Sequence, residues 1–96
     1  MKAGRVIGKV VPSRTVANLP AGSWLVINPF TREQYRDPWN APLSGEPSVV
    51  AFDELGAGEG EIVGFVEGGE ASWHFPAPAP VDTYVSVIFD RINYHD

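Results

Sequence analysis

The sequence contains no cysteine, so disulfide bonds and thiolate metal sites are excluded, and a reducing compartment such as the cytosol is expected. It is also poor in basic residues, with seven Lys and Arg against twelve Asp and Glu and a formal net charge of −5. This balance argues against binding to nucleic acid, because contacts to phosphate need an excess of positive charge. No apolar run is long enough to span a membrane.

Groupings typical of enzymes are missing as well. The two histidines, His74 and His95, have no second histidine at a spacing that suits a metal site. None of the serines lies in a G-x-S-x-G motif, and no acid, base and nucleophile converge in the pattern. We therefore predict no catalytic residue, no metal ligand and no cofactor.

Short apolar runs separated by Gly and Pro are the main pattern present, and they are typical of an all-β protein. Its 96 residues suffice for one domain, residues 1–96. Five strands favour a small closed barrel, since closure removes exposed strand edges. The segment "EASWHF", residues 70–75, could add one helical turn. The predicted strands are Lys2–Val11, Trp24–Asn28, Ser48–Asp53, Ile62–Glu67 and Thr83–Ile92.

The first and last predicted strands are partly apolar on both faces. On the last strand, strict alternation assigns the odd positions to the core and leaves Tyr84 and Ile88 on the other face. On the first strand, Val6 and Val10 share one face, and Ile7 and Val11 share the other. A second subunit could bury the extra apolar face, or the "EASWHF" turn or the Pro29–Pro47 excursion could cover it. The odd positions assigned to the core are Val81, Thr83, Val85, Val87 and Phe89.

The stretch "ELGAGEGEIVGF", which runs from Glu54 to Phe65, places three glycines at alternate positions. It does not predict a phosphate-binding loop, because a strand-like run follows it instead of a helix, and its three glutamates would repel phosphate. The alternative is a tight connection between two strands, in which glycine supplies a positive φ or a close approach of backbones.

Two aromatic residues, Tyr35 and Trp39, lie in the proline-rich excursion Pro29–Pro47. They could stack on bases or sugars, as on a barrel that binds oligomers, but the charges around them cancel and provide no electrostatic attraction for such a ligand. A contact with a neighbouring protein, or a loop that packs on its own barrel, is the favoured interpretation. A monomeric barrel that binds a saccharide or peptide through Tyr35 and Trp39 is the alternative function.

Three blocks of the sequence resemble the EutN/CcmL family of pentameric vertex proteins from bacterial microcompartment shells, such as carboxysomes. They occur in the family's order and are "GRVIGKVV", "VAFDELGAGEGEIVGFVEGG" and "PVDTYVSVIFDRI". The middle block is the most specific. The chain departs from the family after this block, where many relatives have Gly-Ser-Ser-Ala-Arg and this chain has "GGEAS", residues 68–72.

The resemblance implies a five-stranded barrel similar to the oligonucleotide-binding (OB) fold, without its usual ligand. It implies a structural role in the cytoplasm: a homopentamer that closes shell vertices beside hexameric or trimeric shell proteins. The glycine loop is then expected at the central opening or at the seam between subunits, through Gly56, Ala57, Gly58, Glu59 and Gly60. The predicted subunit interface comprises Tyr84, Ile88, Ile7 and Val11.

Overall fold

The computed structural model describes residues 1–10, 22–68 and 82–95. All five predicted strands are present, and their ends differ from the predicted ends by at most three residues. Val11 and the predicted "EASWHF" turn lie outside the described residues. The elements in chain order are β1 (Lys2–Val10), β2 (Ser23–Pro29), α1 (Arg32–Arg36), β3 (Val49–Asp53), β4 (Ile62–Glu67) and β5 (Thr83–Phe89).

The strands close into a barrel in the order β1-β2-β3-β5-β4, with β4 pairing back onto β1. Four of the five pairings are antiparallel, and β3 pairs with β5 in parallel through Phe52 and Tyr84. The predicted all-β, five-stranded closed barrel is therefore confirmed. Closure gives every strand of this sheet a neighbour on each side, and the described pairing of β3 with β5 is the one between Phe52 and Tyr84.

The core fills the barrel with aliphatic and aromatic side chains from every strand. Gly4 allows β1 to approach β2 closely, because a Cβ atom there would lie 2.5 Å from Ile27 Cγ2 and 2.7 Å from the Asn28 carbonyl oxygen. The glycine loop also contributes one residue to the core. The buried cluster comprises Val6, Leu25, Ile27, Ala51, Ala57, Val63, Phe65 and Val85.

The excursion between β2 and β3 packs on its own barrel, as one of the sequence interpretations predicted. It begins with α1, where the Thr31 backbone N–H donates to Gln34 Oε1 at 2.8 Å and Gln34 Nε2 donates to the Pro42 carbonyl at 3.0 Å. Further along, the Ser44 N–H donates to Asn28 Oδ1 at 2.8 Å. Within the described ranges, no helix is long and apolar enough to cross a membrane.

A β-bulge interrupts β1. Val6 pairs with Ile27 and Gly8 pairs with Val26, so Ile7 between them is the extra residue. The bulge places Val6 and Val10, which the sequence pattern assigned to one face, in different environments. Val6 is 1% exposed in the core, whereas Val10 is 38% exposed. The prediction that Val6 and Val10 share one face is therefore wrong.

A second bulge lies in β5. Gly64 pairs with Val87 and Phe65 pairs with Val85, so Ser86 is the extra residue, and its hydroxyl donates to the Gly64 carbonyl at 3.3 Å. Before the bulge, Val85 belongs to the core as predicted. Beyond it, Ile88 packs against the core, opposite Val63. The prediction that one face of β5 holds every odd residue is wrong beyond Ser86, because the bulge reverses the alternation.

Candidate assembly surface

The glycine loop begins with a buried carboxylate that organises its backbone. Asp53 ends β3 and is 1% exposed. Its Oδ1 accepts the Leu55 N–H at 2.9 Å, and its Oδ2 accepts the N–H groups of Gly56 at 3.0 Å and Ala57 at 2.8 Å. An anion bound at this position would need these same backbone donors, but the loop's own carboxylate already accepts all three of them. The prediction that no phosphate binds here thus has a structural reason.

Two of the three loop glycines adopt backbone conformations that other residues rarely adopt. Gly56 has φ of 84° and Gly60 has φ of 87°. Between them Ala57 is 5% exposed and belongs to the core cluster, so the loop folds over the end of the barrel. The sequence interpretation of a tight connection that needs positive φ is confirmed at these two glycines.

Hydrogen bonds also hold the far side of the loop in place. The Gly60 N–H donates to the Val6 carbonyl at 2.8 Å, and the Val6 N–H donates to the Glu61 carbonyl at 2.9 Å. Within the loop, the Gly58 N–H donates to Glu61 Oε1 at 2.7 Å. The loop therefore presents Gly58 and Glu59 to solvent on a backbone that is fixed at both ends.

A buried phenol lies beside the start of this loop. Tyr84 is 4% exposed, and its hydroxyl donates to Glu54 Oε1 at 3.2 Å. Burial and, after it, the charge of Glu54 raise the pKa of Tyr84 to about 12, because both disfavour the phenolate. Tyr84 thus couples β5 to the loop through a neutral hydroxyl.

The predicted interface residues do not form one exposed patch. Tyr84 is already buried within the subunit, and Ile88, expected on the outer face, packs against the core. Ile7 is the half-buried extra residue of the β1 bulge, and Val11 lies outside the described residues. Contact of these four residues with a neighbour stays a prediction, and Tyr84 and Ile88 have little surface left to make it.

The two aromatic residues of the excursion lie in different environments. The Tyr35 ring contacts Phe30 edge-on at 5.3 Å between centroids and stacks with Tyr94 at 5.6 Å. Its hydroxyl accepts the Ala3 N–H at 3.3 Å. Trp39 remains 42% exposed. Because Tyr35 is used in packing, the two aromatics do not form the paired stacking platform that the alternative function requires.

The outer face of β2 and β3 carries apolar side chains that the sequence analysis missed. Trp24 lies edge-on to Phe52 with 5.1 Å between ring centroids, and Val26 pairs with Val50 on the next row. Val50 and Leu55, which lies in the loop after β3, are each 48% exposed. Exposed apolar side chains on a small barrel are candidates for burial by a partner.

Ionisable groups do not cluster in the described part of the chain in a way that would hold a metal. No group of three or more His, Asp or Glu side chains is suitably placed there. What the described surface offers is a rigid loop and exposed apolar side chains. Both can take part in contacts with another protein.

Strand order, closure and the glycine loop that folds over one end define this protein as a small five-stranded barrel of the OB type. The family model described as "Ethanolamine utilisation protein EutN/carboxysome" matches residues 1–90. The chain belongs to this EutN/CcmL family, as the three sequence blocks indicated. A comparison with curated proteins gives no match.

Solved structures similar to this chain come from several bacteria. EutN from Escherichia coli is 28% identical with a TM-score of 0.79, and the match covers 98% of this chain and 89% of that one. CcmL from Gloeobacter violaceus is 28% identical with a TM-score of 0.77, covering 98% and 90%. GrpN, a pentameric microcompartment shell protein from Rhodospirillum rubrum, is 28% identical with a TM-score of 0.76, covering all of both chains.

Proposed function

We propose that this protein is a structural subunit of a bacterial microcompartment shell. Five copies form a closed ring, and the ring fills the vertices at which the sheet of shell tiles must curve. The protein acts in the cytoplasm, beside hexameric or trimeric shell proteins, and carries out no catalysis of its own.

One observation carries the proposal: the similarity to GrpN, described as a pentameric microcompartment shell protein, extends over the full length of both chains. The geometry supports it in two ways. The loop that folds over the barrel end is fixed by its own hydrogen bonds, as a repeated contact in a ring requires. Val50 and Leu55 also leave apolar surface that a neighbouring copy could bury.

Native mass spectrometry tests the ring directly. A pentamer has a mass of 52 kDa, five times the 10.4 kDa subunit. A cyclic ring needs a heterologous interface, in which one patch meets a different patch on the next copy, so intermediate dimers should stay rare at equilibrium. A protein that remains monomeric or dimeric at micromolar concentration contradicts the proposal.

The role at vertices needs a second experiment in the host. Deleting the gene should leave shells that are open or elongated in electron micrographs, since a sheet of hexagonal tiles cannot close without pentagonal units. A plasmid copy of the gene should restore closed shells. Closed shells of normal shape in the deletion strain, with no second family member expressed, would refute the vertex role.

A further inference from the structure

Most glycines in the described part of the chain are required by the subunit's own fold. Gly56, Gly60 and Gly68 have positive φ. At Gly4, Gly22 and Gly64 an added Cβ atom would come within 3.0 Å of a neighbouring atom. Three glycines remain that meet neither condition, and these are Gly8, Gly45 and Gly58.

Two of these three glycines line the same cavity. At Gly8 an added Cβ would make ordinary contact with Val26 at 3.7 Å, and at Gly58 it would lie 3.6 Å from Glu61 Oε1. Both border a cavity of about 460 Å³ at the barrel end covered by the glycine loop. Gly45 lies elsewhere, in the excursion before β3. The subunit therefore lacks side chains at two positions where they would fit, and both positions adjoin this cavity.

The cavity has an apolar floor and a charged rim. The floor is formed by Val6, Leu25 and Ala57, which are core residues. The charged side chains on its lining are Lys9 and Glu59, both exposed. Neither has a hydrogen-bond or ion-pair partner among the described residues.

An apolar centre within a polar rim is the usual arrangement of an interface between proteins. A site for a small molecule instead places a few polar groups inside the pocket, where they fix the ligand. Lys9, which has no ionic partner in the described part of the chain, favours a second copy of this chain, since the sequence carries twelve acidic and seven basic residues and so presents an excess of carboxylates.

We infer that the cavity between β1 and the glycine loop is the seat for the adjacent subunit, kept open by the missing side chains of Gly8 and Gly58. An apolar side chain of the next copy enters the cavity, and a carboxylate of that copy pairs with Lys9. The inference rests on the proposed function, because it assigns one of the two patches that the ring requires.

Two substitutions test the seat, each with a matched control. Gly58→Leu fills the mouth of the cavity, and Gly45→Leu makes the same change away from it. Lys9→Glu reverses the rim charge, and Arg91→Glu makes the same reversal on the exposed segment after β5. We expect each of the two seat variants to need at least about tenfold more protein for half-assembly, which for a ring of five copies equals about 5.5 kcal/mol per ring, or about 1.1 kcal/mol for each of its five interfaces. The two controls should assemble like the unmodified protein.

Circular dichroism distinguishes lost assembly from lost folding, and the seat variants should keep the spectrum of the parent. If Gly58→Leu fails to fold, a single thiol replaces it as the probe, because the chain has no cysteine of its own. The thiol of Gly58→Cys should lose reactivity towards a maleimide in the ring and regain it on dilution. The thiol of Gly45→Cys should react equally in both states.

The outcomes separate the inference from the proposed function. If the unmodified protein forms no pentamer, the proposed function fails, and the inference fails with it. If the pentamer forms but Gly58→Leu assembles at the same concentration, or the thiol at Gly58→Cys stays reactive in the ring, the inference alone is overturned. It is also overturned if the variants keep the ring but no longer support closed shells, because the cavity then faces a different shell protein.

Discussion

Replacing Asp53 with asparagine should destabilise the subunit, although the two side chains have nearly the same shape. The carboxylate is 1% exposed and accepts three backbone N–H groups, one at Oδ1 and two at Oδ2. Asparagine has a single acceptor oxygen. If that oxygen takes the position of Oδ2, the side-chain NH₂ faces the Leu55 N–H, so one donor opposes another.

The magnitude follows from the bonds that are lost. A hydrogen bond to a charged group contributes about 1.5–3 kcal/mol, and one of the three is removed outright. The two that remain lose their charge assistance, whereas removal of a buried charge returns part of its desolvation cost. We expect Asp53→Asn to lower the free energy of unfolding by about 2 kcal/mol, a sizeable part of the ~5–15 kcal/mol typical of a domain.

Urea denaturation at one fixed protein concentration measures this change, because the stability of a ring depends on concentration. Glu46→Gln is the control, since it removes one carboxylate at an exposed position away from the loop and the cavity and should change stability by at most about 0.5 kcal/mol. Hydrogen exchange should accelerate at the amides of Leu55, Gly56 and Ala57. If Asp53→Asn is as stable as the parent and these amides stay protected, the carboxylate does not hold the loop.

Three further predictions concern β5 and the net charge. Tyr84 should ionise at a pKa of about 12, so stability should fall as pH rises from about 10, the pKa of an unfolded tyrosine, to 12. The absorbance of the phenolate measures the ionisation, and Tyr84→Phe should remove both this ionisation and the associated loss of stability. A Tyr84 with a pKa near 10 contradicts the assigned burial. Ile88→Asp should unfold the subunit, whereas Val87→Asp should leave it folded, and circular dichroism measures both outcomes. The opposite result would place the odd-numbered residues of this part of β5 in the core. Five copies carry a formal charge of −25, so single-stranded DNA should not bind at micromolar concentration and physiological salt; fluorescence anisotropy that shows such binding contradicts this.

Strands and loop conformations could be predicted because they depend on local chemistry. Short apolar runs separated by Gly and Pro placed all five strands, and the glycine-rich connection predicted a positive φ or a close backbone approach, of which Gly56 and Gly60 show the positive φ. The hydrogen bonds from the loop backbone to Asp53 could also have been predicted from the sequence, since aspartate commonly accepts backbone N–H groups two or three residues ahead. The helix α1 could have been predicted as well, because "TREQ" matches a capping box, with Thr31 before the helix and Gln34 at its third position.

The two β-bulges, in contrast, could not be predicted from the sequence. Ile7 and Ser86 are ordinary strand residues, and their status as extra residues depends on the pairing register with β2 and β4. A one-residue change of register exchanges the two faces of a strand, so every face assigned beyond the bulge was reversed. The cavity beside Gly58 was likewise invisible in the sequence, because residues distant along the chain form it.

Because of the bulge at Ser86, odd-numbered residues of β5 face the core before it and even-numbered residues face the core after it. This change of face affects how variants of the strand should be designed. Deleting Ser86 would remove the extra residue and restore a regular ladder, in which Val87 stays opposite Gly64 and Ile88 stays opposite Val63 in the core. The deletion therefore removes the bulge without exchanging any core residue. A relative that lacks the bulge has one residue fewer here, and an alignment that places the gap away from Ser86 would equate its interior residues with surface residues of this chain.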